Sequence, residues 1–236
     1  MPTKTITTFK AMLLAAVVTA GSAGFAQNQN NDPLLKAKAF LAGGNYVNSA
    51  REVDRYLGSH PKNGGAYFIR AIAHTRMDEP DEGLRDFERA LQLNPNYQSL
   101  SLYDERYRAY IGVGKLNLAI SDLTAGIKAR PKEYWRYKER GQVYGLLKQY
   151  PAAISDMNTA IKLDPTMPLL YLNRGHIYAA TGKYDKAVDD YSHVIKAKPN
   201  DPMAYGCRAG AYEKLGKGDL ARKDRKEADK LGAFQM

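Results

Sequence analysis

Residues 168–201 read PLLYLNRGHIYAATGKYDKAVDDYSHVIKAKPND. Tyr171 and Tyr178 lie seven positions apart and so share one face of a helix. Gly175 and Ala187 are the small residues that a close crossing of two helices requires, and Gly182 suits the left-handed residue just past a helix end. Pro199 closes the stretch. The pattern is helix, turn, helix, proline. Working outward, prolines recur at Pro61, Pro95, Pro131, Pro165 and Pro199 with spacings of 34, 36, 34 and 34. Counting back from each gives units at 30–63, 64–97, 100–133, 134–167 and 168–201, and one further step gives 202–235. Gln98–Ser99 is the only break in phase.

Each column of this frame tells the same story. The fourth position is Tyr67, Tyr103, Tyr137, Tyr171 or Tyr205 in five units, and the eleventh is Phe40, His74, Tyr110, Tyr144, Tyr178 or Tyr212. The eighth is small in five (Ala37, Ala71, Gly141, Gly175, Ala209) and the twentieth in all six (Ser49, Gly83, Ala119, Ala153, Ala187, Ala221). Gly44, Gly114, Gly182 and Gly216 mark turns between the two halves. Pro80 and Pro151 stand where a second helix begins, a position that tolerates proline. A repeat of this length predicts a stacked array of helical hairpins.

With these residues in place, the chain resembles the tetratricopeptide repeat family, most plainly at Tyr171, Gly175, Tyr178, Gly182, Tyr184, Ala187, Tyr191 and Pro199. The first unit is the most degenerate, with Pro33 in place of the aromatic, and Tyr107 replaces the small eighth residue of the third. The resemblance implies an all-α fold, a right-handed superhelical solenoid of about six helix-turn-helix hairpins. It also implies a concave face, built from the first helix of each pair, that binds a peptide or protein segment.

Residues 1–26 form a separate segment. Lys4 and Lys10 precede an apolar stretch from Ala11 to Ala20 and then Gly24-Phe25-Ala26, which reads as a secretory signal peptide cleaved after Ala26. The apolar stretch falls short of the about 20 residues that a membrane helix needs; the alternative is a short anchor left uncleaved. Residues 27–31 are a polar leader. The expected compartment is the periplasm, with the extracellular space as the other exported destination. The chain carries a net charge of +10, and without Lys4 and Lys10 residues 27–236 keep +8. That excess favours anionic partners in general, but no basic run interleaved with aromatics points to nucleic acid. The single Cys207 cannot form an internal disulfide, which leaves pairing between chains open.

A basic column occupies the seventh position: Lys36, Arg70, Arg106, Arg140, Arg174 and Arg208. The twenty-third position answers with Glu52, Asp86, Asp122, Asp156, Asp190 and Asp224. A row of arginines reads either as a ligand ladder or as ion pairs between neighbouring helices, and the matched acids favour the pairs, bidentate where geometry allows. The array's end is marked at the twenty-fourth position. It is apolar in five units (Val53, Phe87, Leu123, Met157, Tyr191) but Arg225 in the last, so the final helix is expected to be a solvated cap.

The resemblance assigns the groove to the second, fifth, ninth and twelfth positions. These hold Leu34, Leu41, Phe68 and Ile72 in the first two units, then Asp104, Arg108, Trp135, Lys138 and Gln142, then Leu169, Leu172, His176 and Met203. Two apolar ends flank a charged middle, a surface for a peptide of matching polarity; the alternative is that the apolar residues pack on neighbouring helices. Trp135, the only tryptophan, is the candidate hot spot. Some family members grip a C-terminal carboxylate. Lys138 and Asn173 match that pattern and Gln142 nearly does, but Met203 and Cys207 replace two expected bases. No nucleophile motif, phosphate-cradling loop, cofactor motif or metal-binding histidine spacing is present among His60, His74, His176 and His193. The expected function is a non-catalytic interaction scaffold or adaptor of the bacterial cell envelope. Direct binding of cell-wall polymer or exported polysaccharide is the second reading, and the oligomeric state is open.

Overall fold

The computed structural model describes residues 32–95 and 100–233. The expected signal peptide of residues 1–26, the expected polar leader and the Gln98–Ser99 break lie outside them. Twelve helices and no strands occur among the described residues. They fall into two compact units divided between Val113 and Gly114. The first unit holds α1 (Pro33–Ala42), α2 (Tyr46–Ser59), α3 (Gly64–Arg76), α4 (Pro80–Leu93) and α5 (Leu100–Gly112). The second holds α6 (Leu116–Ala129), α7 (Tyr134–Leu146), α8 (Tyr150–Leu163), α9 (Pro168–Ala180), α10 (Tyr184–Ala197), α11 (Pro202–Lys214) and α12 (Gly218–Ala233). Within each unit every helix packs on the next, and the first helices of successive hairpins also touch: α1 on α3, α3 on α5, α7 on α9, and α9 on α11.

Each hairpin turns through one residue in the left-handed region. Gly44, Gly114, Gly182 and Gly216 have φ between +71° and +77°. The equivalent residues in the second and fourth hairpins are Asp78 (φ 63°) and Lys148 (φ 57°), which lack glycine's freedom there. The next amide closes the turn by donating back across the helix end: Glu79 N to His74 O at 3.0 Å, Gln149 N to Tyr144 O at 2.8 Å and Lys183 N to Tyr178 O at 2.8 Å. This is the Schellman closure, and it satisfies carbonyls that a helix end leaves open.

Small residues set the crossing within the hairpins that lie inside one unit. A Cβ on Gly175 would stand 2.7 Å from Tyr191 Cε1, so only glycine allows α9 to lie this close to α10. The twentieth-position residues Ser49, Gly83, Ala119, Ala153, Ala187 and Ala221 are all buried. Ser49 keeps its hydroxyl satisfied by donating to Ala37 O at 2.9 Å. Val53, Phe87, Leu123, Met157 and Tyr191 fill the core at the twenty-fourth position, each at most 2% exposed. Their counterpart Arg225 is exposed and pairs with Glu213 at 2.7 Å, leaving the outer side of α12 in water. No described helix is long and apolar enough to cross a membrane.

Candidate functional site: the arginine ladder and the row of first helices

The seventh-position arginines cross from the first helix of a hairpin to its second. Arg70 Nε donates to Asp86 Oδ2 at 2.7 Å and Nη2 to Oδ1 at 2.8 Å. The same fork repeats from Arg140 to Asp156 (2.8 and 2.8 Å), Arg174 to Asp190 (2.9 and 2.7 Å) and Arg208 to Asp224 (2.7 and 2.9 Å). The remaining Nη1 reaches backward, sixteen residues upstream, to the second helix of the preceding hairpin. Its acceptors are Asp54 Oδ1 for Arg70, Thr124 Oγ1 for Arg140 at 2.9 Å, Asn158 Oδ1 for Arg174 at 2.7 Å and Ser192 Oγ for Arg208 at 2.9 Å. Each of these arginines therefore ties together three helices. The corresponding residue of the sixth hairpin is Lys226.

Tyrosines enclose the same guanidinium groups. Arg174 Cζ lies 5.6 Å from the Tyr171 ring centre and 5.7 Å from that of Tyr178, and Arg140 and Arg208 repeat the arrangement with their own fourth- and eleventh-position tyrosines. Such contacts are cation–π interactions. With the fork, the third nitrogen and two tyrosine rings engaged, this column is scaffolding rather than a ligand ladder. Hydrogen bonding to Asp156, Asp190 and Asp224 outweighs desolvation and holds each guanidinium in its charged form.

The expected groove residues divide between the two units. In the first, Leu34 and Leu41 pack on the core around Val53 and Leu57. Phe68 and Ile72 are half-buried on the core of Phe87, Leu102 and Ala109, and Phe68 meets Phe87 edge-on with ring centres 5.8 Å apart. Arg108 is exposed and lies over the Tyr107 ring at 5.1 Å, while Asp104 is half-buried on the same helix. Much of the apolar surface expected at this end thus contributes to packing.

In the second unit, α7, α9 and α11 lie side by side. Trp135, Lys138 and Gln142 recur at helical spacing on α7; Gln142 is exposed, and Lys138 pairs with Glu139 at 2.8 Å. Trp135 Nε1 donates to Glu133 Oε2 at 2.9 Å, and Arg136 Cζ stands 4.4 Å from its ring centre. Arg136 is itself only 1% exposed and reaches Glu133 at 2.7 Å. Burial works against the Glu133 carboxylate, but these donors hold it below the usual range. The indole is therefore fixed by its own neighbours, which the sequence signalled only through Glu133, Trp135 and Arg136 standing so close.

On α9, Leu172 packs against Ala187, Tyr191 and Ala211, together with Cys207 of α11. His176 Nε2 lies 3.4 Å from Cys207 Sγ; burial pulls the imidazole pKa down and pushes the thiol up. Asn173 carries the one unusual polar atom here. Its Nδ2 is buried with no hydrogen-bond partner among the described residues. Leu169, about one turn earlier on α9, and Met203 on the neighbouring α11 remain exposed, Met203 to 62%. The other histidines have local contacts: His60 stacks on Tyr56, His193 on Tyr171, and His74 pairs with Glu79 at 2.6 Å. No described cluster of three His, Cys, Asp or Glu side chains is arranged to hold a metal.

Tetratricopeptide repeat profiles match residues 64–97, 141–182 and 175–216. Among solved structures, the C-terminal part of a TPR repeat-containing protein from Cytophaga hutchinsonii superposes with a TM-score of 0.73 at 21% identity, over 85% of this chain and 79% of that one. A tetratricopeptide repeat protein from Parabacteroides merdae gives 0.70 at 19% identity, over 84% and 78%. A crystal structure of MamA gives 0.62 at 25% identity, over 69% and 94%. No curated protein matches the chain. The chain carries tetratricopeptide repeats in an all-α repeat fold, which suggests a protein–protein interaction scaffold.

Proposed function

We propose that this protein is a non-catalytic scaffold or adaptor of the bacterial cell envelope that holds a peptide or protein segment along a concave groove made by its first helices. Its residues are Phe68, Ile72, Asp104 and Arg108 in the first unit, and Trp135, Lys138, Gln142, Leu172, Asn173 and His176 in the second. Export to the periplasm by residues 1–26 is part of the proposal and is supported by their charge and apolar pattern.

The single observation that carries the reading is Asn173. A buried amide donor without a partner costs about 1–3 kcal/mol, and native structures keep few such groups. It lies on α9 between Leu172 and Arg174, one helical turn from His176; its nitrogen is closed to solvent in the unliganded chain, and a turn of the side chain would carry it to a carbonyl or carboxylate of a bound segment. Exposed Leu169 and Met203 supply apolar contacts, and Lys138 and Gln142 supply polar ones. The test is affinity capture from an envelope extract with the full chain, compared with Lys138→Glu, Asn173→Ala and Trp135→Ala. Lys138→Glu and Asn173→Ala should lose the captured partner while keeping the wild-type melting curve. If the recovered proteins are unchanged in all three variants, the groove assignment is wrong.

A further inference from the structure

The positive charge of this chain is not shared between its two units. Residues 27–113 hold 11 basic and 11 acidic side chains, whereas residues 114–236 hold 22 and 14, so the whole +8 belongs to the second unit. Within it, Arg140, Arg174 and Arg208 are matched by aspartates, and one further column stands out. Lys128, Lys162, Lys196 and Lys230 are each the thirteenth residue of a second helix, α6, α8, α10 and α12, in its last turn. All four are exposed. A base at a helix C-terminus complements the helix dipole by about 0.3–1 kcal/mol, yet α2 and α4 of the first unit form with no base in their last turn.

The acids near this column are engaged elsewhere. Asp164 accepts from Thr166 N at 3.1 Å and Thr166 Oγ1 at 2.7 Å, and Asp201 caps α11 through Met203 N at 3.0 Å. Glu133 is held by Arg130, Arg136 and Trp135. Lys128, Lys162 and Lys196 make no ion pair among the described residues, and Lys230 meets only Glu227 at 3.2 Å on its own helix. Lys132 and Lys198, exposed in the loops after α6 and α10, extend the same positive edge.

We propose that this lysine row is a second binding surface, independent of the groove, for a linear acidic polysaccharide carrying carboxylates along its length. One charge per repeat, carried forward by the same hairpin step, makes a line, and a line suits a chain-like polyanion. Lysine is a compact, hydrated point charge on a flexible stem, which tolerates carboxylates at variable positions. Nucleic acid would call for open aromatic faces on which bases stack. Tyr137 and Tyr171 at this edge instead donate to Pro131 O and Pro165 O, at 3.1 and 3.2 Å, and the Tyr171 ring is covered by His193. A peptide would need apolar anchors repeating with the charges, and of residues 129, 163, 197 and 231, which follow the lysines, Ala129 and Ala197 offer none.

The test uses the full chain and polygalacturonate, with binding measured by affinity electrophoresis at several salt concentrations. In the row variant, Lys128, Lys162, Lys196 and Lys230 are all changed to Gln. In the control, Lys115, Lys148, Lys183 and Lys217, before the opposite ends of the same helices, are changed to Gln, which removes the same charge. Circular dichroism melts check that both fold. The row variant should bind at least about tenfold more weakly and the control less than about threefold, and arginine at all four row positions should restore binding. Several results would overturn the proposal: no binding by the unmodified chain, equal binding to neutral dextran, or equal loss in both glutamine variants. So would tighter, row-dependent binding to anionic phospholipid vesicles or to single-stranded DNA at the same salt. Because the groove residues are untouched, envelope partners captured through the groove should be recovered from the row variant as before.

Discussion

Arg140 shows how much one side chain can organise in this molecule. Its fork grips Asp156, its third nitrogen reaches Thr124, and its guanidinium lies over the rings of Tyr137 and Tyr144. Both charges of the pair are largely buried, with side chains 17% and 8% exposed. Removing one partner strands the other, and we expect Asp156→Ala to cost about 2–4 kcal/mol. Asp185→Ala, which removes an exposed acid 3.5 Å from Lys217, should cost less than about 0.5 kcal/mol; equal melting temperatures for the two variants would contradict the ladder. The acid partner is legible in the sequence because Asp recurs at one position. The backward acceptor is not, because Asp54, Thr124, Asn158 and Ser192 share an oxygen but no residue type. Cys207 gives a second prediction at this scale. Burial raises its thiol pKa, so alkylation by iodoacetamide should be clearly slower in the folded chain than in urea-unfolded protein. Equal rates would show that the thiol is open to solvent.

Among the elements, the helices follow the sequence closely because glycine, proline and small residues each have a backbone or packing consequence. Pro80 and Pro151 lie in the first two positions of α4 and α8, and Gly175 faces Tyr191 across a crossing that admits no Cβ. The turns at Asp78 and Lys148 leave a fainter trace, since aspartate adopts positive φ only occasionally and lysine does not favour it. Their geometry is imposed by the hairpins on either side. Lys148→Gly should therefore relieve strain and stabilise the second unit by about 0.5–1 kcal/mol, read as a higher urea midpoint. A lower midpoint would mean that the Lys148 side chain contributes contacts outweighing the strain. On α12, Arg225 stands where the other hairpins carry an apolar residue; it is exposed and pairs with Glu213, so this position adds nothing to the core.

At the scale of the whole molecule, the repeat announces a surface for partners while the exceptions to it locate that surface. Those exceptions were only partly legible. Trp135 stood out as the sole tryptophan, but its nitrogen and one face are engaged by Glu133 and Arg136, a local arrangement that the column frame does not display. Asn173 drew notice by its place in the frame; its buried, unpartnered nitrogen appears only once α9 is packed. Phe68, Ile72 and Leu172 occupy expected groove positions yet also fill the core, because a first helix must serve both. The lysine row was hidden inside a single net charge until the chain divided into two units. The central claim, that the first helices hold a protein partner, is tested most directly by site-specific photo-crosslinking in cells, with a photoreactive phenylalanine at Gln142 or Met203 and, as control, at Ser155 on the exposed side of α8. The account predicts a discrete protein adduct from positions 142 and 203 and none from 155; adducts from 155 alone, or from none of the three, would contradict it.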